Sequence, residues 1–149
     1  MIKDLILVDL KIINDKRGDI LHMLRNDDKN FTSFGECYIS EVNPHRIKAW
    51  KLHLKQTQIL TVVYGQLKFV FYDLRKESST YGKIMELNLS RDANFKRLHI
   101  PPNIYYGFQN QTDELAIIVN CTNTPHDISE SKKIDFDSDL IPFKWNKYD

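Results

Sequence analysis

Lys51 and His53 stand two residues apart in Lys51-Leu52-His53-Leu54. On an extended chain they point to one face and the leucines to the other. If that face is the inside of a barrel, a lysine beside an imidazole is costly unless both meet a ligand or water. Desolvation lowers a lysine's pKa and makes its neutral amine available as a base. Kept protonated, the same amine binds a phosphate or sugar oxygen as a point charge. His53 is open to two readings, a pocket group or a core histidine with one polar partner. The phenol of Tyr106 suits donation to a keto oxygen or return of a proton. Gln58 suits orienting Lys51 or His53. The forked guanidinium of Arg17 suits a diphosphate. Lys48 falls on the opposite face under strict alternation, so it reaches the same pocket only through a bulge or from a neighbouring subunit.

These residues need a scaffold, and the chain suggests strands. Short runs rich in Val, Ile, Tyr and Phe span Ile2–Val8, Asp19–Leu24, Gly35–Val42, Ile47–Leu54, Gln58–Val63 and Leu67–Tyr72. Further runs cover Lys83–Leu89, Lys96–Ile100, Tyr105–Asn110 and Glu114–Cys121. Turn residues fall between them, as in Tyr64-Gly65-Gln66 and Pro101-Pro102-Asn103. This pattern predicts an all-β sandwich or barrel. The best helical segment is Asp127–Lys133. With 149 residues and no linker or repeat, one domain covering 1–149 is expected. Twenty-one basic against 20 acidic residues leave a net charge of +1, which argues against a nucleic-acid partner. No apolar run is long enough to span a membrane and no signal-peptide pattern opens the chain, so a cytoplasmic protein without membrane partners is expected. Cys37 and Cys121 are expected as small buried residues. His22, His99 and His126 read as structural or surface residues.

The spacing also fits a ligand pattern. Small cupin-type barrels carry His-x-His, then Glu and Gly, and later Pro-x-Gly-x-x-His-x-x-x-Asn. Here Lys51-x-His53, Gln58 and Gly65 follow the first half, and Pro101-x-Asn103-x-x-Tyr106-x-x-x-Asn110 the second. Asn103 takes the glycine slot, as the other residue best suited to positive φ. Of four ligand positions only His53 carries a metal-binding side chain, so the expectation is a cupin-like double-stranded β-helix (jelly-roll) barrel with no metal and no cofactor.

A more specific set is Asp15-x-Arg17-Gly18, Asp73-Leu74-Arg75-x-x-Ser78-x-Thr80-x-Gly82, Leu89-Ser90, Leu98-x-Ile100-Pro101 and Gly107-Phe108. Together these resemble the dTDP-4-dehydrorhamnose 3,5-epimerase family, metal-free cupins of sugar-nucleotide metabolism, from about Asp15 to Trp145. The resemblance implies a nucleotide-linked 4-keto-6-deoxy sugar as ligand, enolised beside its ketone, and a homodimer that exchanges N-terminal strands. It places the family's base histidine at Lys51, its sugar-nucleotide arginine at Lys48 and its enolate-stabilising lysine near Gln58. Its Ala-His-Gly-Phe stands here as Tyr105-Tyr106-Gly107-Phe108. Arg17 keeps the Arg-Gly motif that meets the diphosphate. The family's acid tyrosine has no counterpart near Asn123–His126, and the aspartate orienting its base lies beyond the end of this shorter chain. Catalytic roles are therefore expected at Lys51, His53 and Tyr106, and substrate contacts at Arg17, Lys48 and Gln58. Three functions remain open: an epimerase or isomerase in surface-polysaccharide biosynthesis, a non-catalytic sugar-nucleotide or carbohydrate binder, and a 3,4-ketoisomerase-type cupin.

Overall fold

The structure is a computed structural model and describes residues 1–146. Its strands are β1 (Ile6–Asp9), β2 (Ile12–Ile13), β3 (Ile20–Leu21), β4 (Glu36–Val42), β5 (Ile47–His53) and β6 (Gln58–Tyr64). They continue with β7 (Gln66–Asp73), β8 (Ile84–Ser90), β9 (Lys96–Ile100), β10 (Ile104–Gln109), β11 (Ala116–Thr122) and β12 (Ser131–Lys133). Two five-stranded antiparallel sheets face each other, ordered β1-β9-β6-β11-β4 and β12-β5-β10-β7-β8, with β2 and β3 forming a separate ribbon. This is the cupin-like jelly-roll barrel, all-β as the strand runs imply.

Alternating residues fill the space between the sheets. Leu60, Val62, Leu67, Phe69, Phe71, Leu98, Ile100 and Ile118 pack there in one cluster with Tyr106. A second cluster lies outside the β12–β8 sheet, where Trp50, Leu52, Val70 and Tyr105 are roofed by Ile141 and Trp145 of the C-terminal segment. The roof fixes which face of β5 looks inward. Trp50 and Leu52 go under it, so Lys51 and His53 turn to the interior.

Two turns depend on positive φ. Gly65 alone joins β6 to β7 at φ 69, and a Cβ there would lie 2.6 Å from the Leu115 carbonyl oxygen. Asn103 has φ 64, as expected of the residue in the glycine slot.

Three local expectations need correction. Ile2–Val8 is not one continuous strand: Asp4 turns the chain at φ 66, Ile2 and Leu5 are buried in the chain's own core, and only Ile6–Asp9 pairs, with β9. Asp127–Lys133 is not a helix. Asp127 caps a single 3-10 turn, Ile128–Glu130, by accepting from the Ser129 amide. The chain then becomes extended at Ser131, because β12 finds the open edge of β5. Tertiary pairing overrides a weak local preference in so short a segment. Of the cysteines, Cys121 is buried but Cys37 is exposed, since β4 is an edge strand.

Candidate active site

A cavity of about 500 Å³ opens between the two sheets. One wall is built by Lys48 and Lys51 of β5, Tyr106 and Phe108 of β10, and Lys133 of β12. The opposite wall carries Tyr38 and Ser40 of β4, Leu60 of β6, and Ile118 and Asn120 of β11.

Register explains the first wall. Tyr106 lies directly opposite Lys51, and Lys133 lies opposite Lys51 on its other side. Residues so paired share a face, so Lys133, Lys51 and Tyr106 form a row across the sheet. Between Tyr106 and Phe108 the β5–β10 register shifts, because Phe108 pairs with Lys48. The extra residue in β5 is the bulge that alternation requires if Lys48 is to join Lys51. It packs against Gly107, where a Cβ would lie 2.4 Å from that of Ala49. Lys48 Nζ donates to the Glu41 carbonyl at 2.6 Å and to Ser40 Oγ at 3.2 Å.

His53 stands behind this wall, only 3% exposed. Its Nδ1 bonds Glu130 Oε1, while Glu130 Oε2 accepts from the amides of Gln56 at 3.1 Å and Lys55 at 3.3 Å. Burial opposes ionisation of Glu130, but the His53 bond and the two amides outweigh it and hold the carboxyl below its ordinary pKa. An ionised Glu130 only accepts, so Nδ1 carries a proton. Burial lowers the pKa of His53, against the pull of Glu130 and with help from the charge of Lys51. The imidazole is therefore neutral, and its bare Nε2 accepts from Tyr106 Oη at 3.4 Å. Burial drives the Tyr106 pKa well up, so the phenol keeps its proton.

Tyr38 faces this row from the other sheet. Asn120 Nδ2 donates to Tyr38 Oη at 2.8 Å and to Gln58 Oε1 at 2.7 Å. With its oxygen accepting from Asn120, the Tyr38 hydroxyl has its own proton left to donate. Burial raises its pKa despite the Asn120 bond.

Two expected site residues are elsewhere. Gln58 is on β6 in the facing sheet, where its amide donates to Gln56 Oε1 at 2.6 Å, so it fixes Asn120 and not Lys51 or His53. Arg17 lies in the turn between β2 and β3, exposed, forked onto Asp15 at 2.8 and 3.0 Å. It is not among the residues that line the cavity of its own chain. His22 borders a separate recess of about 360 Å³ in which Arg97 is taken by Asp28 and the Met23 carbonyl. Among the described residues, no group of three or more His, Cys, Asp or Glu is placed to hold a metal ion.

Glu130, Lys133, Tyr38 and Asn120 were not read from sequence. Glu130 sits 77 residues from His53 on a turn with no motif. The one available signal was Asn120, which follows Ala116 and Ile118 on the inward face of its strand.

A jelly-roll barrel with a ligand-sized hollow lined by Lys51, Tyr106 and Tyr38 defines a small-molecule site. A model of the dTDP-4-dehydrorhamnose 3,5-epimerase family matches residues 1–149, and the chain belongs to that family. It is 30% identical over 135 residues, 89% of both chains, to the spore coat polysaccharide biosynthesis protein SpsL of Bacillus subtilis (strain 168). The crystal structure of a dTDP sugar isomerase from Desulfovibrio desulfuricans G20 superposes with a TM-score of 0.96 at 41% identity, covering 99% of this chain and 94% of that one. The dTDP-6-deoxy-D-glucose-3,5-epimerase of Legionella pneumophila Philadelphia 1, solved with dTDP-4-keto-L-rhamnose, shares the fold at a TM-score of 0.84 and 19% identity, covering 99% of this chain and 81% of that one.

Proposed function

We propose that this protein is an epimerase of a nucleotide-linked 4-keto-6-deoxy sugar in surface-polysaccharide biosynthesis, working by enolisation beside the ketone. The observation that carries this reading is Lys51. It is half-buried in a ligand-sized cavity, and the lysine ion pairs among the described residues are those of Lys68, Lys96 and Lys144. Burial, then the charge of Lys133, lowers its pKa toward a neutral amine.

The Lys51 amine takes the proton from the carbon next to the ketone, and the electron pair moves onto the keto oxygen. Tyr106 is beside Lys51 in the row, and its hydroxyl turns from the long His53 bond to that oxygen. His53 and Glu130 hold Tyr106 in place. Inversion requires the proton to return on the other face of the ring, and Tyr38 stands on the opposite wall with a proton to give. Lys51 then loses its extra proton to solvent and Tyr38 regains one, so the sugar is isomerised without net change.

Lys48, exposed on the cavity wall, would meet the diphosphate. The exposed Ile13, Ile20 and Ile39 on β2, β3 and β4 support a homodimer, through which Arg17 would approach a neighbouring cavity. Single-domain action fits one family match along the whole chain. No described helix is long and apolar enough to cross a membrane.

A second reading has its own observation. Lys51 and Tyr106 share one wall, which suits moving a proton along one face of the ring, as in a ketoisomerase.

Incubation with a 4-keto-6-deoxy sugar nucleotide in D2O tests both. Deuterium entering next to the ketone with inversion supports epimerisation, and transfer without inversion favours ketoisomerisation. Lys51→Met should slow exchange at least about 100-fold. A melting shift without exchange would leave a binding protein.

A further inference from the structure

Lys133 lies directly opposite Lys51 in the β12–β5 register, and both line the cavity. Side chains so paired have Cβ atoms about 5 Å apart, and like charges there repel. Neither lysine has a carboxylate partner among the described residues. Glu130, the nearest buried acid, is held by His53 and two backbone amides. The two lysines also differ in setting. Lys51 is half-buried between β12 and β10, whereas Lys133 is exposed on a three-residue edge strand.

Like charges on directly paired residues are relieved when one gives up its proton. Burial and the positive charge directly across the register both favour loss of the proton from Lys51. We propose that Lys133 is a positioning residue that acts through Lys51: its positive charge, directly opposite in the register, eases the proton off Lys51 and so frees the amine to accept one from carbon. This rests on Lys51 being the base. It also explains why a strand needed only to cover the β5 edge carries a cation at this register position.

The other groups around Lys51 do not cancel the effect. Tyr106 from β10 and Tyr38 from β4 are neutral phenols, and His53 on β5 is neutral. Glu130 and Glu36 pull the Lys51 pKa upward, but burial and Lys133 outweigh them. Lys48 adds a third cation at the rim, and Asp135 is exposed there.

The test reads the amine itself, so it does not depend on the substrate. The lysines of the whole protein are reductively methylated with 13C-formaldehyde, and the Lys51 signal is assigned by its loss in Lys51→Arg. Its titration is then followed by NMR. Lys51 should titrate below the surface lysines, shift up toward them in Lys133→Gln, and stay low in Lys133→Arg. A Lys51 midpoint equal to that of the surface lysines, or unchanged in Lys133→Gln, overturns the proposal. In D2O with the keto-sugar nucleotide, Lys133→Gln should slow exchange about tenfold at neutral pH, with the pH-rate profile displaced upward and Lys133→Arg restoring it. If the wild type shows no exchange while the titration behaves as described, the sugar chemistry fails and only the charge coupling of Lys133 to Lys51 stands.

Discussion

Two polar clusters sit at different ends of the β12–β8 sheet and follow opposite rules. At the β7–β8 turn, Asp73 is fully buried and every acceptor is used. It takes hydrogen bonds from Arg75 Nε and Nη2 at 2.9 Å, the Arg75 amide at 3.0 Å, Ser78 Oγ at 2.7 Å and Thr80 Oγ1 at 2.6 Å. Burial opposes its charge, but these donors outweigh burial and hold its pKa well below the usual carboxylate range. The network reaches on to the N-terminal segment, with Arg75 meeting Asp4 and the Lys3 carbonyl while Thr80 accepts from the Lys3 amide. At the cavity, Lys51 lies opposite Lys133 and neither forms an ion pair among the described residues, while Tyr38 and Tyr106 keep their protons. A satisfied buried network contributes stability, whereas charge left unsatisfied is available to a substrate. The motif Asp73–Gly82, which carries much of the family resemblance in sequence, belongs to the first kind. It ties the β7–β8 turn to the N-terminal segment and is not among the residues that line the cavity.

This contrast can be broken first at Asp73. Asp73→Ala strips the carboxylate from Arg75, Ser78 and Thr80 and should destabilise the protein by about 3–5 kcal/mol in urea unfolding. A loss below about 1 kcal/mol would show that the turn holds without its network.

The Arg97–His99 pair lies between the two extremes, because it is satisfied only while His99 is neutral. His99 Nε2 accepts from Arg97 Nε at 2.9 Å. Burial, then the charge of Arg97, pushes its pKa down to about 4. The unfolded chain takes up a proton near pH 6.5 that the folded chain refuses until about 4. Stability should therefore fall as pH drops through that window, by about 3 kcal/mol in all, with no contribution above it. Unfolding curves at stepped pH should show this slope, and His99→Gln should flatten it.

The smallest effect belongs to Lys51. Lys51→Met should change stability by less than about 1 kcal/mol, or raise it, because one of two opposed cations is removed. A large loss would mean that Lys51 is held by contacts the cavity does not show.

The strand runs were legible because alternation of apolar residues has one meaning on a half-buried sheet. Gly65, Asn103 and the inward direction of Lys51 and His53 followed from the same local rules. Lys48 was legible only as a choice between a bulge and a neighbour. Gly107 hints at the bulge, but its tightness against Ala49 exists only once β10 lies beside β5. Gln58 was expected beside Lys51 or His53 and meets Asn120 and Gln56 instead, for a related reason. Spacing along the chain says which face a residue takes, and not which residue of another strand it meets.

The sequence by itself determined the all-β barrel, the polar pair on β5 and the family, since each rests on residue type and short-range period. Tertiary structure alone decided that Glu130 orients His53, that Lys133 opposes Lys51, and that Tyr38 and Asn120 form the facing wall. These contacts join residues on separate strands, and their partners are set by sheet register and by the packing of one sheet over the other. No local pattern encodes that register where an element is as short as Ser131–Lys133.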